Sequence, residues 1–131
     1  MTTLCLHTSN FPYGFGEQFI ETEIKYLAAT FAEVVVIPKN PKGSKRSVPD
    51  NVVVLTPDYS GYSTLKGIKN IDTWFFTCLP DVLKMKNKSH AVSTLLRAGH
   101  QAEVLYTSLK KNELIENTLH YTYWFDTQST L

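Results

Sequence analysis

The chain has 131 residues, about the length of one domain. Its 13 Lys+Arg residues nearly balance 12 Asp+Glu residues, so no basic excess predicts a nucleic-acid partner. Hydrophobic residues make up 43% of the chain, and no stretch reaches the roughly 20 apolar residues of a membrane span, so a disordered or integral membrane protein is excluded.

The N-terminus and the cysteines bear on the cellular compartment. The opening segment, 1–7, has neither a basic region nor a long apolar region, so no signal peptide is predicted there. The two cysteines, Cys5 and Cys78, each lie in an apolar run, which predicts reduced thiols in the core. These features together predict a cytoplasmic protein.

Short apolar runs and one helical pattern alternate in the first half of the chain. Residues 4–6 predict a buried strand, residues 34–37 a second that Pro38 ends, and residues 52–55 a third. Between the first two, apolar residues at steps of four, three and four predict an amphipathic helix: Ile20, Ile24, Leu27 and Phe31.

Two further helical patterns follow. One covers 65–79, and Pro80 is expected to break or kink that helix. The other runs over 92–109, with Asn112 as its stop. The aromatic-rich run 119–125 then predicts a last strand, and most of its aromatic side chains are expected in the core: Tyr121, Tyr123 and Trp124.

This order of elements predicts an α/β fold, a Rossmann-like, mostly parallel sheet with helices on both faces. Residues 1–131 are interpreted as one such domain. The predicted last strand is followed by Asp126, which suits the N-cap of a further helix, and the sequence ends five residues later. Domains seldom end one turn into a helix, so we expect the chain to be a piece of a longer protein. The alternative is a frayed terminus.

The loop after the first strand is the expected site, because ligands of open α/β sheets bind beyond the carboxyl ends of the strands. Gly14 and Gly16 allow the backbone to approach a ligand closely, and the following helix N-terminus suits a phosphate. Glu17 could accept hydrogen bonds from sugar hydroxyls. The alternative is a plain connector in which Glu17 serves only the helix dipole, and chemistry alone leaves both open.

The segment 10–24, NFPYGFGEQFIETEI, together with the strand over 34–37, resembles the start of a GT-B glycosyltransferase. It is most similar to the family-4 type from bacterial polysaccharide gene clusters. Those proteins often open with a strand and then a Pro-Tyr-Gly-x-Gly-Glu-x-Phe-Ile-x-x-Glu-Ile-like segment. The match covers about the first third of the chain, and the later elements agree in order.

The resemblance implies a two-domain enzyme that retains anomeric configuration and needs no bound metal or other cofactor. This chain would be its N-terminal, acceptor-side domain. The C-terminal domain, which holds most of the nucleotide-sugar site, is not in the sequence. The chain alone is therefore predicted to be inactive, since half a cleft cannot orient donor and acceptor together.

The resemblance also assigns roles to single residues. Gly14 and Gly16 would lie near the donor phosphates and the transferred sugar, with Glu17 beside them. Asp126 is the nearest match to a polar residue that related enzymes place near the reacting centre, and His120 is a poorer one. The catalytic candidate is thus Asp126, and the substrate-binding candidates are Asn10, Tyr13, Gly14, Gly16 and Glu17.

Other side chains have two interpretations. Phe11 and Phe15 interleave with the glycines and, like Tyr13, could stack on a sugar. Four histidines lack metal-ligand spacing, so no metal site is expected. Two basic groups are either solvated or contact an anionic membrane surface, at roughly 1 kcal/mol per residue: Lys39, Lys42, Lys45 and Arg46 in one, and Lys84, Lys86 and Lys88 in the other.

The expected function is transfer of a sugar from a nucleotide-sugar donor to a glycan or lipid-linked acceptor in surface-polysaccharide synthesis. The expected place is the cytoplasm, with peripheral contact at the inner face of the membrane. Two alternatives stay open: a standalone α/β binding or interaction domain without catalysis, and a fragment of a different nucleotide-using α/β enzyme.

Overall fold

The computed structural model describes residues 2–59, 68, 71 and 73–122, without the side chains of residues 73 and 74. The described residues fall into two compact units. The first comprises 2–57 and 110–122, and the second comprises the described residues of 58–109. The expectation of one domain over the whole chain stays a prediction.

The first unit is built on a parallel sheet. Its strands are β1 (Thr3–Thr8), β2 (Glu33–Pro38), β3 (Val52–Val54) and β4 (Thr118–Thr122), and its helix α1 covers Gln18–Thr30. The strands lie in the order β3-β2-β1-β4, and every pairing is parallel. The α/β class with a Rossmann-like parallel sheet is therefore confirmed.

Apolar side chains of α1 cover one face of this sheet. Successive residues of a strand point to opposite faces, so every second residue of β1 and β2 meets the helix. Ile20 and Ile24 lie one helical turn apart and are buried there. The core cluster consists of Leu4, Leu6, Phe11, Ile20, Ile24, Val34, Val36 and Val52.

The other sheet face is buried at its centre as well. Cys5, Val35 and Ile37 are at most 3% exposed. Burial on both faces explains why β1 and β2 are continuous apolar runs and not alternating ones. In contrast, β4 is the edge strand of the described sheet, and its Tyr121 is 43% exposed. Tyr121 is thus not a core residue, and the expectation that most of the three aromatic side chains lie in the core stays a prediction, since residues 123–125 lie outside the described residues.

The second unit contains α2 (Thr73–Lys84) and most of α3 (Lys88–Lys111). Pro80 lies inside α2, so of the two outcomes expected there, a break or a kink, the break does not occur and the kink stays a prediction. A proline removes one hydrogen bond to the carbonyl four residues earlier, here that of Phe76, a residue that is exposed. Within the described part, no helix has the length and apolarity to cross a bilayer.

The buried contact between α1 and the sheet predicts a large loss of stability on truncation. Ile24→Ala should lower the free energy of unfolding by about 2–5 kcal/mol, because it leaves a cavity against β1 and β2. Tyr26→Ala on the same helix is the control, since Tyr26 is exposed. Urea unfolding followed by circular dichroism measures both, and equal effects would contradict the packing described.

The two thiols should differ in reactivity. Burial, with a smaller effect from the charge of Glu33, raises the pKa of Cys5 from 9.0 to about 11. At about pH 8 only ~0.1% of Cys5 would be thiolate, so a disulfide reagent should label half-buried Cys78 first and Cys5 only on unfolding. The pKa of Cys5 is higher in the folded chain than in the unfolded chain. The free energy of unfolding is therefore highest below about pH 9, where the thiol is protonated in both states, and it falls as pH rises through about 11. Fast labelling of Cys5 in Cys78→Ala would contradict this.

Candidate functional site at the carboxyl ends of β1 and β2

The strand order places a switch point between β1 and β4. From β1 the chain proceeds outward through β2 to β3, and it returns to the other side of β1 with β4. In open α/β sheets the crevice outside the carboxyl ends at such a point is where ligands bind. The loop 9–17 after β1 lies at this edge, beside the loop 39–46 after β2, and the two are here called the crest.

The carboxylate of Glu17 holds the first loop in shape. Its Oε1 accepts a hydrogen bond from the backbone N–H of Ser9 at 2.9 Å, and its Oε2 accepts those of Asn10 and Phe11 at 2.7 and 2.8 Å. Three N–H donors around one carboxylate are charge-assisted bonds. Glu17 has φ 52 and precedes α1, yet its side chain makes no bond to the helix N-terminus. This contact belongs to neither of the two roles expected for Glu17, and its substrate-binding role stays a prediction.

Backbone hydrogen bonds join the two loops of the crest. The N–H of Asn40 donates to the carbonyl of Ser9 at 2.8 Å, and that of Gly14 donates to the carbonyl of Ser44 at 3.1 Å. Gly14 has φ +60, and a Cβ there would lie 2.9 Å from the backbone oxygen of Lys42. Only glycine fits this combination of conformation and contact, because other residues would be both strained and crowded.

Arg46 fastens the second loop to the first. Its guanidinium donates to the carbonyl of Gly16 at 2.9 Å and to a carboxylate oxygen of Glu21 at 2.9 Å. It also lies 5.0 Å from the centre of the Phe11 ring, and its backbone N–H donates to the carbonyl of Pro12 at 2.8 Å. The planar guanidinium serves these partners at once, which a lysine ammonium on its flexible stem cannot do.

These bonds leave one part of the crest open. Within the described residues, no hydrogen bond is found to the N–H groups of Phe15 and Gly16. Gly16 has φ +100, and apart from Gly16 and its two chain neighbours no described residue has an atom within 4 Å of where its Cβ would be. The side chain of Phe15 is 96% exposed. Two adjacent backbone N–H groups at this open glycine are therefore available to donate to a ligand.

A histidine pair ties β1 to β4 close to the same edge. The Nε2 of His7 and the Nδ1 of His120 are 3.1 Å apart, and the two rings stack with centroids 5.4 Å apart. The Nε2 of His120 lies 3.2 Å from the carbonyl of Leu114, which can only accept. Neutral His120 therefore carries its proton on Nε2, and its Nδ1 accepts a hydrogen bond from His7.

The structure brings all five substrate-binding candidates into the crest. Asn10 donates its backbone N–H to Glu17, and Tyr13 pairs with Lys45 in an antiparallel bridge. Gly14 and Gly16 occupy left-handed positions in the same loop. The catalytic candidate, Asp126, lies outside the described residues.

Two expectations about this loop are wrong. Phe11 cannot stack on a sugar, because its side chain is completely buried in the core. Arg46 is not a solvated member of the basic loop, since it is only 18% exposed and bonded to the crest. The one signal in the sequence is that an arginine stands among lysines, and arginine is preferred where several acceptors must be served.

Other parts of the described chain add no candidate chemistry. No group of three or more His, Cys, Asp or Glu side chains that could hold a metal ion is found there. An open depression of about 570 Å³ lies at the amino ends of β1 and β4, opposite the crest, and none of the described residues that line it is titratable. It is lined by Thr2, Asn117, Thr118 and Leu119.

Comparisons of the chain with protein-family models, with curated proteins and with solved structures found no significant match. The resemblance to GT-B glycosyltransferases therefore rests on the residues of 10–24 and on the order of the elements.

The role of Glu17 predicts the effect of removing its charge. Glu17→Gln keeps the size of the side chain but turns an NH₂ group toward a backbone N–H, so one donor loses its acceptor. The free energy of unfolding should fall by about 1–3 kcal/mol. Glu23→Gln, a glutamate of α1 outside the crest, is the control. Urea denaturation measures both variants, and a Glu17→Gln curve that overlays the wild-type curve would contradict the assignment.

Proposed function

We propose that this chain is the N-terminal, acceptor-side domain of a retaining GT-B glycosyltransferase. The enzyme would transfer a sugar from a nucleotide-sugar to a glycan or lipid-linked acceptor in surface-polysaccharide synthesis. The proposal combines the family resemblance of 10–24 with a parallel sheet whose switch point adjoins that same segment. The proposed enzyme would act in the cytoplasm, at the inner face of the membrane.

The observation that carries the proposal is the pair of open amides at Phe15 and Gly16. Most other N–H groups of the loop are already bonded, to Glu17, to Asn10 or to Ser44. The glycine segment that resembles the family thus keeps two free donors in the loop after β1, at the sheet edge where ligands of open α/β sheets bind, and a diphosphate or a sugar hydroxyl could accept from them. The exposed ring of Phe15 offers an apolar surface beside these donors.

The domain would contribute to the reaction by positioning the donor and the acceptor. Sugar transfer breaks the bond between the anomeric carbon and the donor diphosphate and joins that carbon to an acceptor hydroxyl. A crest held by Glu17 and Arg46 keeps its donors in place without a ligand, so less ordering is needed when donor and acceptor meet. Donor binding itself would depend on a second domain across the cleft.

The proposal predicts a difference between this chain and a longer product of the same reading frame. Calorimetry of the 131-residue chain with UDP- or GDP-sugars should give little or no heat. The longer product should transfer labelled sugar to a bacterial lipid extract. Gly16→Ala should lower its kcat/KM at least about ten-fold, because a Cβ enters the open donor site and the left-handed φ is strained.

Glu23→Gln serves as the control for that measurement and should keep wild-type kinetics. A reading frame that stops at Leu131, or a longer product without transferase activity, would favour the standalone binding or interaction domain. Tight binding of a nucleotide-sugar by the 131-residue chain would contradict the half-site proposal and favour another nucleotide-using α/β enzyme.

A further inference from the structure

The second loop of the crest concentrates positive charge. Its residues, 39–46, include three lysines and one arginine but no acid, although the net charge of the whole chain is only +1. Arg46 is already bonded to a carboxylate oxygen of Glu21 at 2.9 Å. Lys42 and Lys45 are exposed, so a solute can approach them. Retention of the glycine loop and of its amides gives these two lysines no role.

The acidic side chains of the crest and its chain neighbours leave this charge in place. The first loop, 9–17, contains one acid, Glu17, and both of its carboxylate oxygens are bonded to backbone N–H groups. The acids nearest to the second loop along the chain are Glu33 and Asp50, which lie before and after it by several residues. A negatively charged ligand at the crest would therefore be attracted by the lysines.

The backbone that carries the lysines is joined to the glycine loop. Lys45 pairs with Tyr13 in an antiparallel bridge, and the carbonyl of Ser44 accepts the N–H of Gly14 at 3.1 Å. The carbonyl oxygen of Lys42 would lie 2.9 Å from a Cβ at Gly14. Since Gly14 directly precedes the two open amides of this loop, a ligand bound at those amides is close to the loop that carries the lysines.

The composition of the crest suits a carbohydrate better than a bilayer. The loop 39–46 has no apolar side chain larger than that of Pro41, so it has nothing to insert among acyl chains. Asn40 and Ser44 are exposed among the lysines, and their side chains can exchange hydrogen bonds with hydroxyl groups. The ring of Phe15, which is 96% exposed, offers a flat apolar surface against which the face of a sugar can pack.

We propose that the acceptor of the transferase is an acidic glycan, whose carboxylate or phosphate groups bind Lys42 and Lys45. The inference rests on the proposed function and narrows its acceptor to a glycan that carries negative charge on its sugars. The acceptor chain would run from the open amides along the loop 39–46. Its contacts with the lysines are exposed to solvent, so each is modest in strength and is screened by salt.

Binding of oligosaccharides to the 131-residue chain tests the inference without any sugar transfer. In titration calorimetry at low ionic strength, an oligomer of galacturonate should bind about ten-fold more tightly than a neutral maltooligosaccharide of equal length, and added salt should weaken its binding. A phosphorylated maltooligosaccharide, titrated in the same way, distinguishes phosphate from carboxylate as the bound group. Polyglutamate is the control for charge alone and should bind more weakly than the acidic oligosaccharide, because it has neither hydroxyl groups nor a sugar face.

Variants locate the binding on the crest. Replacing Lys42 and Lys45 together by glutamine should weaken binding of the acidic oligosaccharide about five-fold. The matched control removes the same charge at the end of α3, by replacing the exposed Lys110 and Lys111 with glutamine, and should leave binding unchanged. Phe15→Ser should weaken binding of the acidic oligosaccharide about three-fold and leave the binding of polyglutamate unchanged. Circular dichroism shows whether each variant is folded, and all of these side chains are exposed.

The inference is overturned if acidic and neutral oligosaccharides bind alike, if polyglutamate binds as tightly as the acidic oligosaccharide, or if the two double-lysine variants bind it alike. Binding of vesicles that contain phosphatidylglycerol, without binding of any acidic oligosaccharide, would also overturn it and would assign the lysines to a membrane. Failure of the proposed function has a different result, a longer product that transfers sugar to no acceptor. An active product that prefers neutral acceptors would overturn the present inference alone.

Discussion

The crest depends on one carboxylate that is bonded to the chain's own backbone. Glu17 gathers the N–H groups of Ser9, Asn10 and Phe11, the first three residues after β1. A loop that leaves a parallel sheet at this edge would otherwise have to satisfy these donors with water or with a ligand. Because the glutamate satisfies them instead, the loop has a defined shape, and its glycines are presented beyond the strand ends.

Arg46 complements this arrangement from the neighbouring loop. It bonds the carbonyl of Gly16 and the carboxylate of Glu21, and it covers the ring of Phe11. Glu17 takes up amide donors of the first loop, while Arg46 takes up carbonyl acceptors of the same loop. What remains open after both is the short stretch of Phe15 and Gly16, which is why the proposed ligand contact of this loop falls on backbone amides and not on a charged side chain.

Local sequence patterns were sufficient to predict most of the helices and strands. The continuous run 34–37 is typical of a strand covered on both faces, as in a parallel sheet, and the spacing of Ile20 and Ile24 is typical of a helix with one apolar side. Tyr121 is exposed because an aromatic strand residue is buried only where another element covers it, and β4 is an edge strand in the described sheet. Pro80 does not end its helix, which continues to Lys84 with one backbone hydrogen bond fewer.

By itself, the sequence determined the class of fold, the position of the glycine loop and the residues that would meet in it. The class of fold and the position of the loop follow from side-chain periodicity and from turn residues, which act between residues close together in the sequence. Only the tertiary structure decided which partner each polar group takes: Glu17 with three loop amides, and Arg46 with a loop 30 residues earlier in the chain. Such contacts arise from the register of β1 on β2, which brings distant segments to one edge and leaves no periodic trace in the sequence.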